Sequence, residues 1–158
     1  MKLKLICLGS VALLAGCVPD YRVPTENFAT VEFSSLGSPI FAMYSKGGNC
    51  SGMTRIPQEN APGNPNATPL RVSSGIEIAF GATGVNGNPP AWCNAMTSFV
   101  PAAGAHYTVT LAEAYPQGCG VRIQRVEAGR AVDEPSSRSK RVRNVFPMYP
   151  TGSYCHAD

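Results

Sequence analysis

Cys93-Asn94-Ala95-Met96-Thr97-Ser98-Phe99, followed after Val100-Pro101-Ala102-Ala103-Gly104-Ala105 by His106-Tyr107-Thr108-Val109-Thr110-Leu111, is the stretch whose reading decides the fold. Cys93, Ala95, Thr97 and Phe99 fall on one phase, and Tyr107, Val109 and Leu111 on one phase after the turn residues. A period of two marks a strand with one face against a core, because successive side chains of a strand point to opposite sides. The Pro101 to Gly104 segment supplies the punctuation between the two runs, and the pair is predicted to form a hairpin.

The same alternation recurs outward in both directions. Downstream, Cys119, Val121 and Ile123 alternate with Gly120, Arg122 and Gln124, and Val142, Val145 and Phe146 are expected to supply a last strand. Upstream, Ala29, Val31 and Phe33 alternate with Thr30, Glu32 and Ser34. Gly37-Ser38-Pro39 then turns the chain into Ile40, Ala42 and Tyr44, a second predicted hairpin that ends in the loop Lys46-Gly47-Gly48-Asn49-Cys50. Pro57 to Pro69 holds four prolines and three asparagines and is predicted to be a long surface loop. Leu70 and Val72, then Ile76, Ile78 and Phe80, predict one strand or two broken by a turn, and Gly81 to Pro90 is expected to be loop again. No 3.6-residue period is sustained anywhere. Seven or eight short strands with glycine and proline between them predict an all-β, antiparallel β-sandwich of immunoglobulin-like or transthyretin-like type, with a small closed β-barrel as the alternative.

The amino terminus has a different character. Met1-Lys2-Leu3-Lys4 precedes an apolar run from Leu5 to Leu14, about half of the roughly 20 residues that a membrane-crossing helix needs. The run reads as an export signal helix over residues 1–16. Leu14-Ala15-Gly16-Cys17 resembles the lipobox of bacterial lipoproteins, a resemblance that implies diacylglycerol on Cys17, cleavage after Gly16 and acylation of the new amino terminus. Two or three acyl chains make such an anchor permanent. Val18, standing where inner-membrane retention usually has an Asp, implies the outer membrane, with the domain facing the periplasm. Residues 17–26 are expected to be a lipidated tether and 27–158 a single domain. In the mature part, Cys93, Phe99-Val100-Pro101, Gly104, Tyr107-Thr108-Val109 and Gly118-Cys119-Gly120-Val121 resemble a pattern of small uncharacterised proteobacterial lipoproteins, over about thirty residues and with no activity attached.

Of six cysteines, Cys7 leaves with the signal and Cys17 takes the lipid, leaving Cys50, Cys93, Cys119 and Cys155 in a compartment that oxidises thiols. The inward phases of Cys93 and Cys119 predict a bridge between them, and elimination predicts Cys50–Cys155. There is no C-x-x-C pair and the only histidines are His106 and His156, so no metal and no cofactor is expected.

Removal of Lys2 and Lys4 with the signal leaves eleven of thirteen basic side chains against ten acidic ones, which does not describe a nucleic-acid binder. No G-x-S-x-G, H-E-x-x-H or P-loop is present, and Glu77 and Glu113 stand alone, so no catalytic residue is nominated. Arg138, Lys140, Arg141 and Arg143 place four cations within six residues. The run reads either as a loop kept soluble by its charge or as a grip on anionic headgroups or an acidic partner. Trp92, the only tryptophan, reads equally as a partner anchor on a loop rim and as a cap on the core. The expected function is a membrane-anchored, non-enzymatic envelope protein that binds or scaffolds another envelope component, with a secretion-system assembly lipoprotein or a lysozyme-type periplasmic inhibitor as alternatives. The sequence names no small-molecule ligand.

Overall fold

The structure is a computed structural model and describes residues 18–34, 40–61, 63–86, 91–114, 118–143 and 152–156. Residues 1–16, expected to be an export signal, and Cys17 lie outside the described residues, as do Val145 and Phe146. Ten strands are formed: β1 (Phe28–Phe33), β2 (Ile40–Lys46), β3 (Ser51–Thr54), β4 (Leu70–Ser73), β5 (Ile78–Asn86), β6 (Ala91–Phe99), β7 (His106–Ala114), β8 (Gly118–Glu127), β9 (Arg130–Asp133) and β10 (Arg138–Ser139). One sheet has the order β4-β1-β7-β8-β9 and the other β10-β6-β5-β2-β3. All neighbours are antiparallel except β1 and β7, which run parallel. No strand pairing joins the two sheets among the described residues, so the sandwich is the architecture and the closed barrel is not.

The core lies between the sheets. Ala29, Val31, Leu70, Val72, Tyr107, Val109, Val121 and Ile123 face Phe41, Met43, Ile78, Phe80, Ala82, Cys93, Ala95 and Phe99. Its aromatic spine runs from Phe33 to Phe80, Phe80 to Phe99 and Phe99 to Tyr107, with ring centroids 5.4, 6.2 and 5.0 Å apart. Burial of each such side chain is worth about 1.5–3 kcal/mol.

The expected phases of β6, β7 and β8 hold, but their partners differ from expectation. Residues 93–99 and 106–111 form no hairpin: β6 pairs with β5 and β10, and β7 with β1 and β8. The turn between them is a corner from one sheet to the other. It is closed by Gly104 N–H on the Phe28 carbonyl at 2.8 Å and by Ala102 N–H on the Tyr107 hydroxyl at 2.9 Å. Phe99 and Tyr107 therefore meet across the core and not along one sheet. Likewise β1 and β2 belong to different sheets, so the second predicted hairpin is also a crossover. The expected loop over Gly81 to Pro90 is corrected, because β5 continues to Asn86 in register with β6 from Ile78↔Phe99 to Asn86↔Ala91.

The inward phase expected for Ile40, Ala42 and Tyr44 is reversed. Phe41 and Met43 enter the main core, Ile40 is 72% exposed, and Tyr44 packs on the opposite face of its sheet. That outer face carries a second apolar cluster of Tyr44, Cys50, Ala79, Met96, Tyr154 and Cys155. The carboxy-terminal segment covers it, with Tyr154 against Tyr44 at 5.3 Å and Tyr154 N–H bonded to the Cys50 carbonyl at 3.1 Å. Gly81 lies beneath, where an added Cβ would meet the Tyr44 ring at 3.2 Å and the Met96 methyl at 3.3 Å. Gly47 is needed for a closer approach still, since a Cβ there would come within 2.9 Å of the Glu77 and Ile78 backbone.

Both disulfides pair as expected. Cys93–Cys119 joins β6 to β8 across the core, with Cα atoms 6.0 Å apart, and Cys50–Cys155 fastens the carboxy-terminal segment, with Cα atoms 5.3 Å apart. Cys50→Ser with Cys155→Ser should cost about 2–5 kcal/mol, read as a lower urea midpoint. Burial, with Tyr154 adding to it, holds the Tyr44 phenol well above its ordinary value of 10.0. The folded state thus favours the neutral phenol, and its contribution is full below the unfolded value and is lost as pH rises through the folded one. Burial also raises the Tyr107 and Tyr154 phenols, so tyrosinate absorbance should show several late-ionising phenols in the native chain and an earlier onset in the double mutant, where Tyr44 and Tyr154 lose their cover; identical titrations would contradict the covered outer face.

Candidate functional site

The two sheets part on the side of β9 and β10. A groove of about 320 Å³ opens there, lined by Thr97, Gly120, Val121, Arg122, Ile123, Asp133, Ser137 and Ser139. The two-residue β10 borders it through Ser139, opposite β8. Val121 and Ile123 form an apolar floor, and Thr97 spans the two sheets by donating its hydroxyl to the Val121 carbonyl at 2.7 Å.

The rim is charged and fixed. Asp133 accepts from Arg122 Nε at 2.8 Å and from its second nitrogen at 3.0 Å, with Gln124 adding a bond at 3.0 Å. The Arg122 hydrogen bonds and then that from Gln124 hold the Asp133 carboxyl below its ordinary value, and the same pairing raises Arg122. Asp133 is the last residue of β9. Its neighbour Glu134 is buried and accepts from the Ser136 N–H at 3.0 Å and its hydroxyl at 2.8 Å, which shapes the turn carrying β9 into β10. A fixed ion pair, two serine hydroxyls and the unpaired edge of β9 can hydrogen-bond an extended polar segment.

The basic run does not form one patch. Arg138 lies on β10 and donates to its own Pro135 and Ser137 carbonyls, both at 2.8 Å. Lys140 is corrected from a surface cation to a buried one: its side chain is 3% exposed and its Nζ lies 3.5 Å from Glu77 Oε1. The strand phase set by Arg138↔Ser98 and Ser139↔Thr97 turns Lys140 onto the sheet, where its N–H bonds the Met96 carbonyl at 2.8 Å. Arg141 and Arg143 remain exposed on either side of Val142, which bridges to Cys155. Trp92 pairs with Val85 in the β5–β6 hairpin, and its side chain lies outside the described residues. His106 is on the polar phase of β7, 2.9 Å from the Thr30 hydroxyl and 3.5 Å from Glu32, remote in sequence and pairing from the groove. Among the described residues no group of three His, Cys, Asp or Glu is placed to hold a metal ion.

The amino-terminal segment is also more than the expected tether. Arg55 N–H bonds the Pro19 carbonyl at 2.9 Å, Tyr21 N–H bonds the Arg55 carbonyl at 3.0 Å, and Asp20 pairs in parallel with Arg55. Tyr21 packs against the core and its hydroxyl accepts from Ser73 N–H at 3.3 Å. Only Val18 separates this docked stretch from Cys17. Searches of protein-family models, curated proteins and solved structures find no match to this chain.

The divided basic run predicts divided phenotypes. Lys140→Ala should destabilise by about 1–3 kcal/mol, because a buried stem is lost and Glu77 loses its cation, whereas Arg141→Ser should stay within about 0.5 kcal/mol. Chemical denaturation of the two variants measures this, and equal stabilities would contradict the burial of Lys140. A carboxyl titration by NMR should place Asp133 below a free aspartate and return it upward in Arg122→Ala.

Proposed function

We propose that the protein is an outer-membrane lipoprotein, lipidated at Cys17, that acts by binding or scaffolding another envelope component and not by catalysis. The observation that carries the reading is the Leu14-Ala15-Gly16-Cys17 motif, placed two residues ahead of the first backbone pairing of the folded domain at Pro19. A basic start and a short apolar run that end where the folded domain begins have the form of an export signal. The two disulfides support export, because such bridges persist in oxidising compartments. The groove between β8 and β10, with its pinned ion pair and adjoining free edge, supports recognition of an extended polypeptide. Arg141 and Arg143, the exposed remainder of the basic run, lie beside the carboxy-terminal strap and are available to an anionic partner.

The test is metabolic labelling with radioactive palmitate in a bacterial host. The wild-type chain should take up label and fractionate with the outer membrane. Cys17→Ser should take up none and accumulate as full-length precursor, because cleavage of this class follows lipid attachment. Normal processing of Cys17→Ser, with retention in membranes, would overturn the reading.

A further inference from the structure

The amino-terminal stretch straps the two sheets together on one side of the sandwich. Pro19 and Tyr21 bond Arg55, which directly follows β3, while the Tyr21 hydroxyl bonds Ser73 at the end of β4. On the opposite side residues 134–137 join β9 to β10, and the groove opens beside them at Ser137. Val18 itself is held by its carbonyl on the Arg55 guanidinium at 3.4 Å, and Asp20 adds an ion pair to Arg55 at 3.6 Å. Two extended residues reach at most about 7 Å, so a lipid on Cys17 cannot stand far from the point where Pro19 is fixed.

We infer that the β3/β4 side of the sandwich lies on the bilayer surface and that the β9/β10 groove is presented away from it. The inference rests on the lipid-anchor reading and adds the orientation of the domain. A free tether of ten residues would let the domain tumble above the membrane, whereas a chain docked from Pro19 holds one side down. Crossing sheet β10-β6-β5-β2-β3 takes four strand spacings, about 19 Å at ~4.8 Å each. The groove is thereby set beyond the lipid headgroups, open to a partner arriving from the aqueous side. The surface that meets the headgroups is the docked segment, with Arg22 exposed just after the last paired residue.

The experiment uses the full lipoprotein, processed in bacteria and reconstituted in phosphatidylethanolamine-containing vesicles that carry dansyl-labelled headgroups. Trp92→Phe removes the only tryptophan, and Arg22→Trp or Val132→Trp then places a single donor on the strap or on β9, where Val132 is 46% exposed. Flotation is read first: protein that does not float with vesicles overturns the lipid-anchor reading itself. For floated protein, energy transfer to the headgroups should be severalfold greater from Arg22→Trp than from Val132→Trp. Equal transfer, or greater transfer from β9, overturns the orientation while leaving the anchor standing. Should either tryptophan variant misfold, hydrogen exchange on the wild-type lipoprotein answers the same question. Amides of residues 51–56 should slow on vesicles relative to detergent solution while those of 130–133 do not, and the reverse pattern overturns the inference.

Discussion

Strand β6 is packed on both faces and paired along both edges, and the rest of the molecule is arranged around that constraint. Its inner face sends Cys93, Ala95, Thr97 and Phe99 toward the other sheet, and its outer face puts Met96 and Ser98 under cover. β5 holds one edge over nine residue pairs, and the short β10 holds part of the other. Three links of different chemistry then connect it to the opposite sheet: the disulfide to Cys119, the Thr97 hydroxyl on the Val121 carbonyl, and the ring contact of Phe99 with Tyr107. A strand so confined cannot slip by one residue, because the slip would exchange its two faces and break all three links.

This double burial explains what could be read from the sequence and what could not. Where a strand has one wet face the alternation is clear, and the phases of residues 106–109 and 119–124 are legible. In β2, which is covered on both sides, the alternation disappears. Ile40-Phe41-Ala42-Met43-Tyr44 is apolar throughout, so periodicity cannot choose between Phe41 and Tyr44 as the inward residue. The glycines at 81 and 84 resemble loop residues, yet Gly81 stands mid-strand to make room for the Tyr44 and Met96 side chains above it. Phase is local information and partner choice is not. The sequence around Pro101 to Gly104 specifies a reversal of the chain, and whether the reversal stays in one sheet depends on what else competes for the edge of β6.

The candidate site was legible in the same partial way. The cysteine pairing followed from inward phase and elimination, because a bridge between two buried strands has few geometric options. The cation run misled because charge composition carries no phase. Once Arg138 and Ser139 are fixed on an edge strand, one of the next side chains must lie over the sheet, and Lys140 does so with Glu77 as its partner. The groove had no motif at all: it brings together Thr97 of one sheet and Val121 and Ile123 of the other, and no local pattern marks that meeting. Its Arg122–Asp133 pair joins residues eleven positions apart that only the β8–β9 hairpin brings together.

The edges of the two sheets are finished in opposite ways. β3 is a short edge strand with the outer-face Met53 half-buried on it, the kind of edge that recruits another chain if left open. It is fastened at its start by Cys50, which is bonded to Cys155, and at its end by Arg55, which is bonded to the amino-terminal strap. Both termini of the described chain are thus spent on protecting one edge and one face of the same sheet. β9 is treated oppositely: all four of its residues are exposed, its ends carry Arg130 and Asp133, and nothing from the described chain lies along its free side. Charges at both ends of so short an edge discourage indiscriminate sheet growth, and no other described strand pairs along it. The fold therefore closes the edge next to the amino-terminal strap and keeps open the one farthest from it, beside the groove.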